Sequence, residues 1–125
     1  MFTPAVLDHV VNPRNVGPLE GATHAGVAGV PGDGPYVEMW LEVEDGHVRR
    51  AAYRTFGCPA CIACASLTAQ LATGRALETL TRLEPADLVT LLGGIPPAKS
   101  YCPTLAVEAL HKALCRGLTQ DGEEG

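Results

Sequence analysis

Nine residues in the middle of the chain, YVEMWLEVE from Tyr36 to Glu44, alternate in polarity with a period of two. Val37, Met39, Leu41 and Val43 lie on one side, and Glu38, Glu42 and Glu44 on the other. That pattern predicts a strand with one buried and one solvated face. Asp45-Gly46 follows, a dipeptide suited to a two-residue hairpin loop. The return strand is placed at about His47 to Phe56, with faces that Ala51, Ala52 and Tyr53 leave unassigned. A shorter strand is expected near Ala25 to Val30, inside a Gly- and Pro-rich loop over 14–35.

The rest of the pattern is helical. Thr3 suits an N-cap and Pro4 a first helical position, with Leu7, Val10 and Val11 as the apolar stripe and Asn12-Pro13 as the stop. Ala60 to Thr73 is rich in Ala and Leu and ends at Gly74, a natural residue for a helix C-terminus. A short helix is expected near Ala76 to Leu80. Another begins at Pro85, turns Leu88, Val89 and Leu92 inward and ends at Gly93-Gly94. IPPAKSY is expected to be extended, because two prolines oppose regular structure. The last helix is placed from Pro103 to about Arg116, burying Val107, Leu110 and Leu114, with Gly117 closing it and QDGEEG frayed. Strands early and helices late predict an α+β fold, a small antiparallel three-stranded sheet packed against several helices, with 1–125 as a single domain.

Composition narrows the function. Hydrophobic residues make up 46% and charged residues 18%, as in a folded globular protein. A net charge of −5 lacks the basic footprint of a nucleic-acid binder. No apolar run approaches the roughly 20 residues that span a bilayer. Asp8 and His9 interrupt the N-terminal apolar stretch, so no signal peptide is expected. Five cysteines without an export signal point to a reducing cytoplasm, where clustered thiols are metal ligands, reactive groups or small buried side chains.

Three of those cysteines fall in FGCPACIACAS, at Cys58, Cys61 and Cys64; Cys102 and Cys115 complete the set. Cys58-Pro59 and Cys102-Pro103 each place a thiol at an expected helix N-cap, where unpaired N–H groups and the helix dipole favour the thiolate. On one helix Cys58 and Cys64 would be separated by about 9 Å of rise and about 120° of arc. Thiolates on one tetrahedral ion lie about 4 Å apart, so all three cannot converge while the helix is intact. Cys58 with Cys61 can. Cys64 is read as a buried small residue, Cys61 as ligand or filler, and Cys115 as core or surface. His9, His24, His47 and His111 show no ligand spacing and are expected on surfaces or helix faces.

Three separated stretches, in order, resemble the IscU/NifU N-terminal type of iron–sulfur cluster assembly scaffold. LDHVVNPRNVG is similar to that family's opening helix and Asn-Pro-Arg-Asn turn. RTFGCPACIACASLTAQLATGRAL resembles the segment with its central ligand, at Cys58, and IPPAKSYCPTLAVEAL the closing segment with its last, at Cys102. The resemblance implies a scaffold rather than an enzyme. It would receive sulfur from a cysteine desulfurase, build a transient [2Fe–2S] cluster and pass it to apo iron–sulfur proteins. An Hsp70-type chaperone would grip Ile95, Pro96, Pro97, Ala98 and Lys99. The family's first ligand cysteine, in an Ala-Cys-Gly-Asp loop, has no counterpart in VPGDGPYV. Asp33 takes its place in an ungapped alignment, and Pro31 does if Gly32-Asp33 is matched to the family's Gly-Asp. Tyr101 stands where many members carry His. A set of Cys58, Cys61 and Cys102 with Asp33 as an oxygen donor would suit zinc or a labile cluster. Two other readings stay open: a divergent paralogue that binds zinc or only a partner, and a thiol redox protein using Cys58-Pro59-Ala60-Cys61. The antiparallel hairpin argues against the βαβ context of the last.

Overall fold

The computed structural model describes residues 2–116; Gly117 and the QDGEEG tail lie outside them. Helix α1 (Pro4–Val11) is followed by strands β1 (His24–Gly29), β2 (Tyr36–Glu44) and β3 (His47–Phe56). Helices α2 (Pro59–Ala72), α3 (Leu77–Leu80), α4 (Pro85–Leu91) and α5 (Tyr101–Cys115) follow among the described residues, with a 3-10 turn at Pro97–Lys99. The strands form an antiparallel meander in the order β1-β2-β3.

The sheet follows from its sequence. Asp45 and Gly46 both have positive φ, 55° and 76°, as a two-residue hairpin loop of matching twist requires. That turn aligns Met39 with Tyr53 and Leu41 with Ala51. Val37, Met39, Leu41, Ala51 and Tyr53 therefore share the buried face, and α2 and α5 pack on it. Glu38 and Glu42 point the other way, where Arg54 and Arg50 pair with them. Such exposed pairs contribute little stability. Ala52 is buried too, on the back of the sheet. A Cβ on Gly17 would lie 2.9 Å from Ala52 Cβ and 3.0 Å from the Trp40 ring, so the segment after α1 crosses there in direct contact. The weak alternation of β3 reflects burial on both faces.

The helices pack through small side chains. Ala60, Ala63, Ala65, Ala69 and Ala72 of α2 are all fully buried, because β3, α1, α4 and α5 surround that helix. Ala106, Ala109 and Ala113 of α5 are equally inaccessible. One cluster joins the sheet to α2 and α5 around Met39, Leu41 and Leu110. A second joins α1, α2, α4 and the start of α5 around Val6, Leu88, Leu92, Cys61, Cys64 and Cys102.

Several sequence expectations need correction. The buried residues of α1 are Val6 and His9, while Leu7 and Val11 are 48% and 74% exposed. The helix is short, so which side meets α2 is set by tertiary anchors. Thr3 Oγ1 caps Val6 N–H at 3.1 Å, and His9 Nδ1 lies 2.8 Å from Ser66 Oγ on α2. His9 is thus an interior residue, and burial lowers its pKa. IPPAKSY is not wholly extended: Pro97 occupies the first position of the 3-10 turn, where no N–H is needed. That turn leads directly into α5, which starts two residues earlier than expected. Val89 is only half-buried, unlike Leu88 and Leu92.

Where β1 crosses α5, a Cβ added to Gly26 would meet Ala113 N, and Ala109 O at 2.7 Å. Replacing Gly26 with Ala must push strand and helix apart. We expect a loss of about 2–3 kcal/mol in stability, measured by denaturant unfolding. An unchanged midpoint would show that the two elements are not held in contact there.

Candidate metal centre

Cys58 is the N-cap of α2, with extended backbone angles of −82° and 174°, and Pro59 takes the first helical position. Cys61 is then the third residue of the helix. N-cap and third-position side chains face one another, the geometry that also permits reciprocal capping. Cys102 is not a cap. It is the second residue of α5, inside the first turn, followed by Pro103. Proline is tolerated there because the first turn's N–H groups lack intrahelical partners anyway.

These two helix starts meet. Cys102 Sγ lies 2.9 Å from Cys61 Sγ and 3.7 Å from Cys58 Sγ. All three sulfurs fall within 4.8 Å of one another, and among the described residues no other group of three or more His, Cys, Asp or Glu side chains is so placed. Cys61 and Cys102 are fully buried, whereas Cys58 is partly open to solvent. Two tetrahedral ligands with bonds near 2.3 Å have sulfurs about 3.8 Å apart. The Cys58–Cys102 separation already matches that spacing, and Cys61 would need to retreat from Cys102 by about 0.9 Å. The triad is chemically suited to a soft metal.

Gly57 makes room for it. A Cβ there would lie 2.8 Å from Cys61 Sγ, so only glycine lets the turn between β3 and α2 close over that sulfur. The same Cβ would be 3.8 Å from Pro35 Cβ, which places the β1–β2 loop beside the triad. Asp33 belongs to that loop, where its N–H donates to Val30 O at 2.9 Å. Its side chain is exposed and outside the group of three sulfurs. Cys64 is fully buried in the second core cluster, and burial pushes its thiol up to about 12. Cys115 is exposed at the end of α5.

The electrostatics set the two buried thiols apart. A hydrogen bond with Cys102 is the largest influence holding Cys61 down at about 7, assisted by hydrogen bonds with Cys58 and by the Lys99 charge. The same hydrogen bond, with burial, drives Cys102 upward. Together they describe one proton kept on Cys102 and donated to a Cys61 thiolate. Tyr101 lies beside them, and the electrostatic influence of the cysteine sulfurs, that of Cys102 first, together with burial raises its phenol to about 12. It therefore stays protonated. Lys99, which the sequence places in a partner-binding loop, also acts on Cys61 from the 3-10 turn, a turn the two prolines of that loop do not predict. Ile95 and Pro96 are half-buried, and Pro97 and Ala98 are exposed. A cavity of about 800 Å³ runs along α5 past Val27, Thr104 and His111 and is lined by none of the three sulfurs.

Known proteins share this arrangement of elements. The family description "NifU-like N terminal domain" matches residues 1–121. The chain is 33% identical over 123 residues to an iron–sulfur cluster assembly scaffold protein IscU of Archaeoglobus fulgidus, covering 98% of this chain and 80% of that protein. It is 35% identical over 123 residues to the protein of the same description from Aquifex aeolicus, covering 97% and 78%. Among solved structures, the N-terminal part of a nitrogen-fixing NifU-like protein from Brucella abortus superposes with a TM-score of 0.71 at 17% identity, covering 90% of each chain. At that identity the likeness establishes the fold. With a match over nearly its whole length and relatives above 30% identity, the chain belongs to the NifU-like N-terminal domain family.

Proposed function

We propose that this protein is an iron–sulfur cluster assembly scaffold whose ligands are Cys58, Cys61 and Cys102. The observation that carries the proposal is the convergence of three sulfurs from two helix N-termini within 4.8 Å, in a chain of this family. Iron and sulfide are its cargo, assembled in turn into a [2Fe–2S] cluster. A cysteine desulfurase supplies the sulfur in the cytoplasm, and apo iron–sulfur proteins receive the cluster.

The role of each residue follows from its surroundings. Cys58, partly exposed, is the point of contact with incoming sulfur and iron. Cys61 supplies the first thiolate at neutral pH, and Cys102 gives up its proton when metal replaces it, as metal binding to thiols requires. Cys61 takes over the position in the ligand set that a cysteine of the β1–β2 loop would fill. Asp33 is the oxygen donor that loop offers should it close on a fourth metal position. The exposed Pro97 and Ala98, with Ile95, Pro96 and Lys99, form the chaperone-binding loop. Lys99 then has two tasks, so chaperone binding there would also alter the field at Cys61.

The same triad could hold zinc, since the Cys58–Cys102 spacing of 3.7 Å suits it. Zinc would occupy the sulfur-lined site in competition with the cluster.

Anaerobic addition of ferrous iron and sulfide tests the scaffold reading. The expected result is visible sulfur-to-iron charge-transfer absorbance with protein-bound iron. Cys58→Ala, Cys61→Ala and Cys102→Ala should each weaken iron retention by more than the about 10–100-fold that follows loss of a ligand's outer partner. Cys64→Ala and Cys115→Ala should leave it unchanged. No absorbance in the unaltered protein would overturn the reading, and full retention in Cys61→Ala would remove Cys61 from the ligand set.

A pH titration of the metal-free protein tests the thiol assignment. With its pKa lowered, Cys61 changes from thiol to thiolate as pH rises through about 7, well below its ordinary value of 9.0. Thiolate ultraviolet absorbance should show one early ionising group, and Cys61→Ser should delete it. A first ionisation only in the usual range, near 8.5, would contradict the hydrogen-bonded pair.

A further inference from the structure

The triad contains a nucleophile, an acceptor and a spare thiol, more than ligation alone requires. Sulfur from a persulfide arrives at oxidation level zero, whereas a cluster contains sulfide. Two electrons must be found for each sulfur. Cys58 has solvent access, Cys102 lies 3.7 Å behind it, and Cys61 lies 2.9 Å from Cys102; the two inner sulfurs are fully buried. Reacting atoms in productive arrangements are separated by about 3–3.5 Å.

Resting on the scaffold reading above, we propose that the three thiols form an internal relay which reduces sulfane sulfur to sulfide, with Cys58 as acceptor, Cys102 as resolving thiol and Cys61 as the thiol that resets the acceptor. In the first step the Cys58 thiolate attacks the outer sulfur of a donor persulfide R–S–SH. A Cys58–S–SH bond forms and the donor leaves as R–S⁻. In the second step Cys102 gives up its proton to solvent and, as the thiolate, attacks Cys58 Sγ. The Cys58–Cys102 disulfide forms and HS⁻ departs with the electron pair of the broken S–S bond. The sulfane sulfur gains two electrons, and the two cysteine sulfurs lose one each. In the third step Cys61 attacks Cys102 Sγ, giving a buried Cys61–Cys102 disulfide and releasing the Cys58 thiolate. No oxidant is needed beyond the persulfide. A dithiol reductant is required afterwards, one per sulfide, to restore the ligands.

The order follows from position. Cys102 Sγ lies 3.7 Å from Cys58 Sγ and 2.9 Å from Cys61 Sγ, between the exposed sulfur and the other buried one, so it is the natural middle member. The final disulfide is buried and the exposed Cys58 sulfur is left free; reversal of the third step returns the disulfide to Cys58, where the dithiol can reach it.

The full chain, reduced, metal-free and in the presence of a chelator, is treated with glutathione persulfide at equimolar ratio, with no added dithiol. The expected result is one sulfide released per chain, and a protein mass lower by two hydrogens. Peptide mapping should place the disulfide between Cys61 and Cys102. Cys61→Ser should release sulfide once and retain the Cys58–Cys102 disulfide. Cys102→Ser should keep the added sulfur on Cys58, and Cys58→Ser should accept none. Circular dichroism checks that each variant is folded. Stable retention of the added sulfur by the unaltered chain, without sulfide release, overturns the relay, as does sulfide release undiminished in Cys102→Ser. Reconstitution from iron and inorganic sulfide bypasses all three steps. Its success alongside a failed relay would sink this proposal alone, and its failure would sink the scaffold reading.

Discussion

The centre depends on how closely the starts of α2 and α5 approach each other. Two helices packed with large side chains keep their axes about 10 Å apart. Here both helices bury small side chains, Ala65 and Ala69 on α2 and Ala106 and Ala109 on α5, and Cys61 meets Cys102 where the two first turns approach. Small residues give up hydrophobic area per side chain but let the backbones come near, and the sheet beneath restores the lost burial through Met39 and Leu41, which cluster with Leu110 of α5. The site is thus a by-product of the core. Whatever separates α2 from α5 separates Cys61 from Cys102.

Much of the fold was legible because local rules and tertiary demands agree. β2 alternates cleanly since only one face is buried, and Asp45-Gly46 allows one tight loop. The misreadings fall where tertiary contact overrides pattern. Leu7 and Val11 look like an apolar stripe, yet α1 turns Val6 and His9 inward because Ser66 provides a partner for the imidazole. β3 hides its alternation because the Gly17 segment covers its back. The start of α5 was placed at Pro103 on the rule that proline excludes helix before it. The 3-10 turn at Pro97–Lys99 delivers the chain already curled, and the helix begins through that rule.

The site was legible in part. Cys58 as an N-cap followed from Cys-Pro and Cys64 as a core residue from helical arc, and both lie so in the structure. Cys102 keeps its helix-start location but two positions further in, and its side chain is fully buried. No spacing rule could decide Cys61, because its role depends on which helix lies across from it. Gly57 carried a faint signal: a glycine directly before a Cys-Pro start is where a backbone must pass close to a side chain. Lys99 carried none.

Placing the third thiolate on a helix rather than on a loop changes what the site can do. A loop ligand can swing away, and ordering it when metal binds costs about 1–2 kcal/mol of backbone entropy per residue. Cys61 is held by Cys58 O through its own N–H at 2.9 Å and by full burial, so that ordering is complete before metal arrives. A preformed, half-closed triad favours capture. It also makes release harder, because neither Cys61 nor Cys102 can leave without disturbing the core. The β1–β2 loop, free of a thiolate, keeps Pro35 against Gly57 at the edge of the centre. Exchange at the centre must then proceed from the exposed side, through Cys58, the one sulfur of the three open to solvent.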